Sequence, residues 1–400
     1  MSGQTWSGSY ITAVDTQNNT TVISVADTDN GYQTTANYAD YDLDYVMDFN
    51  TDRPLRVLQL TDTQIIDSAQ SRTPDRLGVT QKTAWAPDQI YNNVLRYIIK
   101  AVNDTKPDLI LLTGDIIFGE FDDNGACLTA LVDCMDSLQI PWAPVFGNHD
   151  NESMMGVAWQ CRQLEESPYC LFERRNELGG NGNYSIGIAK NGQLQRVIFM
   201  MDSNGCSRTP DINKDEVKTT VGFTDAQMNW LKDMGLQVNE LAGKTIPSFV
   251  GYHIPTQEVL LAAENAGYQS GTDSAKITYT IGVDVAAQFG DSGYKGDQIL
   301  YDMHDNDGLL EVMKQIGTDG AFFGHVHLNS TSVLYEGVRW TFGLKTGSYD
   351  NCPVVMGGTL IMLSSDCSSF TVEQTQTTAA QIGAEYPDTI YTAVVDASAS

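Results

Sequence analysis

Positive charge is scarce in this sequence: 23 Lys and Arg face 51 Asp and Glu, for a formal net charge of −28. That balance favours solubility and repels nucleic acid and anionic membranes over most of the surface. A nuclease would need a basic stripe for the phosphate backbone, and none is evident. Also missing is any apolar run near the roughly 18 residues of a membrane-spanning helix. The opening MSGQTWSGSY has neither the basic nor the apolar region of a signal peptide. The first 50 residues are nevertheless rich in Asn, Thr, Asp and Gly, a composition met in extracytoplasmic proteins, so a secreted protein freed of its leader and a cytoplasmic one are both open readings.

The seven cysteines, Cys127, Cys134, Cys161, Cys170, Cys206, Cys352 and Cys367, form no CxxC pair and no closely spaced Cys/His set, which argues against a structural zinc site. Scattered core thiols and one or two disulfides both fit their spacing. No GxSxG elbow is present and no motif links a cysteine to a histidine, which disfavours a serine or cysteine hydrolase. There is no internal repeat or low-complexity tract. What is there suffices for a large core: 400 residues, 42% of them hydrophobic, with only 12 prolines.

Apolar runs at 57–61, 108–113 and 142–146 read as strands, and helical periodicity over 90–99 and 128–138 separates them. This is a βαβαβ unit. Further runs at 197–201, 248–252 and 321–323 alternate with helical patterns over 225–238 and 309–316. Beyond residue 330 come short β-like pieces at 331–335, 338–342, 359–363 and 370–372, which suggests a second sheet. The stretch 263–307 is polar, Gly-rich and weakly periodic, and is expected to be a long surface insertion bordering the site. The expected organisation is an N-terminal extension (1–51) forming an added strand or arm, a main domain (52–375) and a C-terminal tail or linker (376–400).

Polar residues collect where the apolar runs end. Asp62 and Gln64 follow the first, Asp115 the second, and Asn148, His149 and Asp150 the third; His253 and the pair His325 and His327 follow later runs. In open α/β sheets ligands bind beyond the carboxyl ends of the strands, so these positions describe one site. A single histidine after a strand is usually a satisfied structural residue. Here four of five histidines occupy such positions; the fifth, His304, lies in the polar YDMHDND and reads as a solvated loop residue. Asp202 and Asn204 also follow a strand, and suit a turn as well as a supporting role. Mixed imidazole and carboxylate donors suit Mn, Fe or Zn better than Ca or Mg.

These residues resemble the calcineurin-like metallophosphoesterases, whose ordered motifs are D-x-H, GD, GNH(D/E), a lone His after a strand, and GHxH. The sequence supplies Asp62-Thr63-Gln64, Gly114-Asp115, Gly147-Asn148-His149-Asp150, His253 and Gly324-His325-Val326-His327. GDIIF, GNGNYSIGI, MMDSNG and GLKTGSYD are most similar to the Dcr/purple-acid-phosphatase-like branch. The resemblance implies an αββα sandwich of two mixed sheets and two metal ions: Asp62, Asp115 and His327 on one, Asp115, Asn148, His253 and His325 on the other. It further implies a bridging hydroxide that attacks a small phosphate ester, His149 as acid or transition-state donor, and Asp150 orienting it, with a turn or helix cap as the other reading of Asp150. A phosphomonoesterase is preferred to a phosphodiesterase. Two positions depart from the pattern. Gln64 stands where the family usually has histidine; it reads as a weaker metal ligand, as an indirect polar group, or as the mark of a lost site in a silent binding protein. Phe118 replaces the tyrosine of true purple enzymes, so no iron(III)-tyrosinate is implied.

Overall fold

The computed structural model describes residues 9–73, 85–205, 222–265, 308–327, 329–348 and 356–384. Its strands are β1 (Tyr10–Gln17), β2 (Thr20–Ala26), β3 (Tyr45–Asn50), β4 (Leu55–Leu60), β5 (Leu109–Thr113), β6 (Trp142–Val145), β7 (Tyr184–Lys190), β8 (Gln193–Met200), β9 (Ser248–Gly251), β10 (Thr318–Phe323), β11 (Ser332–Tyr335), β12 (Val338–Phe342), β13 (Met356–Leu363) and β14 (Phe370–Thr377). The helices are α1 (Pro87–Thr105), α2 (Ala126–Ser137), α3 (Val157–Glu166), α4 (Asp225–Ala242), α5 (Glu258–Asn265) and α6 (Leu309–Ile316).

Two mixed sheets face one another. One has nine strands in the order β1-β2-β3-β7-β8-β9-β10-β12-β11, the other five in the order β14-β13-β4-β5-β6. The expected βαβαβ unit is β4-α1-β5-α2-β6, with all three strands parallel. Side-chain alternation divides each strand of the large sheet between two cores. Ile198, Met200, Phe249 and Phe322 join the cluster between the sheets, while Val197, Phe199, Val250, Ala321 and Phe323 join a second cluster with residues of α4, α5 and α6. Because both faces are covered, the strands read as continuous apolar runs rather than as alternating ones. Helix α1 packs on β4, β13 and β14 of the small sheet. The result is the four-layer αββα sandwich.

The N-terminal segment contributes three strands, where one added strand or arm was expected. β1 pairs with β2, and β2 and β3 run parallel to each other and on to β7, so residues 10–50 extend the large sheet. Helix α1 begins earlier than its periodicity suggests because Pro87 sits in its first turn, where the missing N–H costs nothing. Strand β14 continues to Thr377 and a 3₁₀ turn follows at Ala379–Ile382, inside the expected tail. Among the described residues, Cys127, Cys134, Cys161, Cys170 and Cys367 are free thiols. Cys206, Cys352, His304 and most of the expected insertion lie outside the described residues.

Candidate metal centre

Strands β4, β5 and β6 are parallel, and so are β8, β9 and β10, so each sheet sends its carboxyl ends to one edge. The edges meet: the His253 Nδ1 lies 2.8 Å from the Thr113 carbonyl, and the Thr346 amide donates to the Thr61 carbonyl at 2.9 Å. At these ends the backbone turns sharply. Asp62, Gln64, Asp115 and His325 all adopt left-handed φ, of 50°, 42°, 48° and 73°. Such conformations cost a non-glycine residue on the order of 1–2 kcal/mol each and persist only where the surroundings impose them. Four such residues cluster among the candidate ligands, and others occur at turns elsewhere in the described residues. Glycine provides the clearance: a Cβ on Gly147 would lie 2.3 Å from the Asp115 amide nitrogen and Oδ1, and one on Gly324 only 2.0 Å from the Thr61 hydroxyl.

The turns bring the expected ligands together. Asp115, His253 and His325 present donor atoms within 4.8 Å of one another, and so do Asp62, Asp115 and His327, with Asp115 common to both groups. Asn148 joins the first group, its side-chain oxygen 3.2 Å from His253 Nε2. Gln64 lies between the sets with its side-chain nitrogen 3.1 Å from Asp115 Oδ2. Burial alone would raise the Asp62 and Asp115 carboxyls, but the neighbouring imidazoles, His327 for Asp62 and His253 then His149 for Asp115, hold both below the usual carboxylate range. Burial would lower His253, yet the Asp115 carboxylate raises it to about 9. His325 responds oppositely: burial, reinforced by His253, lowers it to about 3.

Its donor set suits a transition metal. The His325 Nε2 is buried with no hydrogen-bond partner among the described residues, although a buried polar atom ordinarily has one. An imidazole nitrogen of this kind could serve a metal ion. The mix of imidazole, amide and carboxylate donors could hold a metal ion.

The role expected of Asp150 is corrected. Its carboxylate accepts the Gly147 amide at 2.6 Å and the Ile117 amide at 2.9 Å, so it pins two motif loops together. Burial and the nearby Asp115 charge push it up to about 7. The carboxylate that meets His149 belongs to Glu152, whose Oε2 lies 2.8 Å from Nδ1. Phe118 covers the His149 ring at a centroid distance of 4.2 Å, and the His149 amide donates to Asp115 Oδ1 at 2.9 Å. Asp202 and Asn204 belong to a supporting network. Asp202 accepts the Asn181 and Asn204 amides, and Asn204 reaches Gln227 of α4. Between them, the Ser203 hydroxyl accepts the amide of Ile254, next to His253.

Two site residues were not named from sequence. Glu152 follows His149 by three positions, a spacing that meets only if a helical turn forms there, and a 3₁₀ turn does over Asp150–Glu152. Lys345, after β12, is fully buried and donates to the Gln64 side-chain oxygen at 2.7 Å and the Asp62 carbonyl at 3.1 Å. Its signal was a lone cation in an apolar, Gly-rich segment of a strongly acidic chain.

Comparison with known proteins agrees with this picture. Residues 55–329 match the family described as calcineurin-like phosphoesterase. "Phosphatase DCR2" of Saccharomyces cerevisiae is 28% identical over 181 residues, which are 41% of this chain and 29% of that protein. "Probable inactive purple acid phosphatase 29" of Arabidopsis thaliana is 28% identical over 247 residues, 57% of this chain and 62% of that protein. The chain thus spans less than two thirds of either relative. A dimetal phosphatase structure from Danio rerio aligns over 80% of this chain and 98% of its own, at 10% identity and a TM-score of 0.41. The family match extends from β4 through both histidines of the GHVH segment, and on that evidence the chain belongs to the calcineurin-like phosphoesterase family.

Proposed function

We propose that the protein is a metal-dependent phosphoesterase acting on small phosphate esters, a phosphomonoesterase rather than a phosphodiesterase, with two ions of Mn, Fe or Zn at the strand ends. The observation that carries this reading is the convergence of two donor groups on one shared carboxylate, Asp115, beside an unpartnered buried imidazole nitrogen. Asp62, Asp115 and His327 would hold one ion, and Asp115, Asn148, His253 and His325 the other. When bound, such ions neutralise charge on the phosphoryl oxygens and acidify the attacking water. They would also add positive charge to the site of a chain whose net charge is −28.

The chain's own residues do the rest. The His149 amide fixes the rotamer of Asp115. Glu152 and Phe118 hold the His149 ring from its Nδ1 and its face, which assigns proton delivery toward the leaving oxygen to Nε2. Asp150 keeps the Gly147 and Ile117 loops in register beneath it. The name of the yeast relative, a phosphatase, supports the reaction class.

The test is metal content by mass spectrometry together with hydrolysis of p-nitrophenyl phosphate and bis-p-nitrophenyl phosphate after addition of Mn or Zn. Bound metal with turnover, faster on the monoester, is expected. A second reading, a silent protein that keeps the fold, is favoured by the capture of the Gln64 side-chain oxygen by Lys345 and by the word "inactive" in the name of the plant relative. Metal binding without turnover of either ester would select it.

A further inference from the structure

The two donor groups are not equivalent, and the difference lies in Gln64 and Lys345. An ammonium has only donors and an ionised carboxylate only acceptors. Gln64 sits between one of each, and both neighbours are buried. The amide is therefore locked, oxygen toward Lys345 Nζ at 2.7 Å and nitrogen toward Asp115 Oδ2 at 3.1 Å; a flipped amide would set donor against donor and acceptor against acceptor. Its oxygen already serves a cation. Its N–H₂ group occupies one side of the carboxylate that both donor groups share.

Lys345 also donates to the backbone carbonyl of Asp62 at 3.1 Å, so its ammonium lies beside the Asp62–Asp115–His327 group. An ion entering there meets three donors and a like charge held in a dry environment, where screening is weak. The other group gathers Asp115, Asn148, His253 and His325, including the imidazole nitrogen that lacks a partner.

We propose that the Gln64–Lys345 pair makes the centre unequal: one ion held tightly by Asp115, Asn148, His253 and His325, and a second held weakly and in exchange at Asp62, Asp115 and His327. This rests on the metal-binding reading above and deepens it. Its consequence is that hydrolysis follows the free metal concentration over the range that fills the weak site.

The experiment is calorimetric titration of the metal-free chain with Mn²⁺, followed by desalting and mass-spectrometric metal analysis. One ion per chain should survive desalting, and the second binding class should be at least about 100-fold weaker, a gap of about 2.8 kcal/mol. The double variant Gln64→His/Lys345→Met, checked for folding by circular dichroism, should retain two ions and narrow the gap below about tenfold. Two equally tight ions in the unmodified chain, or an unchanged gap in a folded double variant, would overturn the proposal while leaving the phosphoesterase reading intact. Should the double variant not fold, Asp62→Asn decides: it should remove the weak class alone, and loss of the tight class would refute the inequality. No bound ion in any form would overturn the metal-binding reading itself.

Discussion

Buried charge occurs at both ends of the sandwich, and the two ends treat it differently. Away from the site, Arg196 at the start of β8 reaches Asp319 and the Cys367 carbonyl and lies 4.2 Å over the Phe249 ring. Near it, Arg53 binds Asp108 at 2.7 Å, and Lys190 donates to the carbonyls of Arg53 and Ser365. Each cation there meets carboxylates or carbonyls. At the carboxyl ends, four candidate ligands hold left-handed φ and an imidazole nitrogen is left without a partner. At one end the charges named are met by the chain itself; at the other, the clustered donor atoms would be completed by a metal ion, as proposed above. Paired charges of the first kind fix how the layers meet.

The contrast predicts opposite responses to substitution. Asp115→Ala should have the largest effect, removing the carboxylate common to both donor groups and lowering hydrolysis by at least about 10³-fold, the scale of losing a key transition-state charge stabiliser. Metal content per folded chain, read by mass spectrometry, should fall with it; unchanged metal content would mean that Asp115 is not a shared ligand. At the far end, Arg196→Ala should cost about 2–5 kcal/mol in urea unfolding, as for other large buried side chains cut to Ala, since the Cys367 carbonyl and the Phe249 ring lose their partner, yet leave metal content per folded chain unchanged. Gly147→Ala should fall between, at about 1–3 kcal/mol, with metal binding weakened because the new methyl displaces Asp115.

Much of this was legible in the sequence, for a physical reason. Strands buried on both faces must be continuously apolar, so β4, β5, β9 and β10 stood out, and the polar residues that follow them had to emerge at their ends. The structure gathers Asp62, Asp115, Asn148, His253, His325 and His327 there as expected. Strand β1 was not legible, because its YITAVDTQ is a half-buried edge without a continuous run. Nor was α3, whose VAWQCRQLEE shows few apolar residues although Val157, Cys161 and Leu164 are buried. Glu152 and Lys345 were illegible for another reason: a lone charged residue carries no periodicity, and its meaning depends on a partner distant in sequence or on a turn that only tertiary structure fixes. Between the two readings of Asp150, its contacts with the Gly147 and Ile117 amides fit the turn cap, while the 3₁₀ turn presents Glu152 to His149.

The smallest predicted effect tests whether Glu152 belongs to the end that holds the candidate ligands. It is 5% exposed, and its Oε1 is buried with no partner while Oε2 meets His149. A buried carboxylate with one idle oxygen is unfavourable unless its other contact is needed, so its place in the fold is explained by what it does to the imidazole. Glu152→Gln keeps the size and a hydrogen-bonding oxygen but removes the charge that orients the ring. The expected outcome is a drop in kcat of about tenfold, at the low end for loss of an orienting partner, with KM and bound metal unchanged. A purely structural Glu152 would instead lower the melting temperature and leave kcat alone. A fall in metal content would show that its influence runs through Asn148 and the ligand loop rather than through the ring of His149.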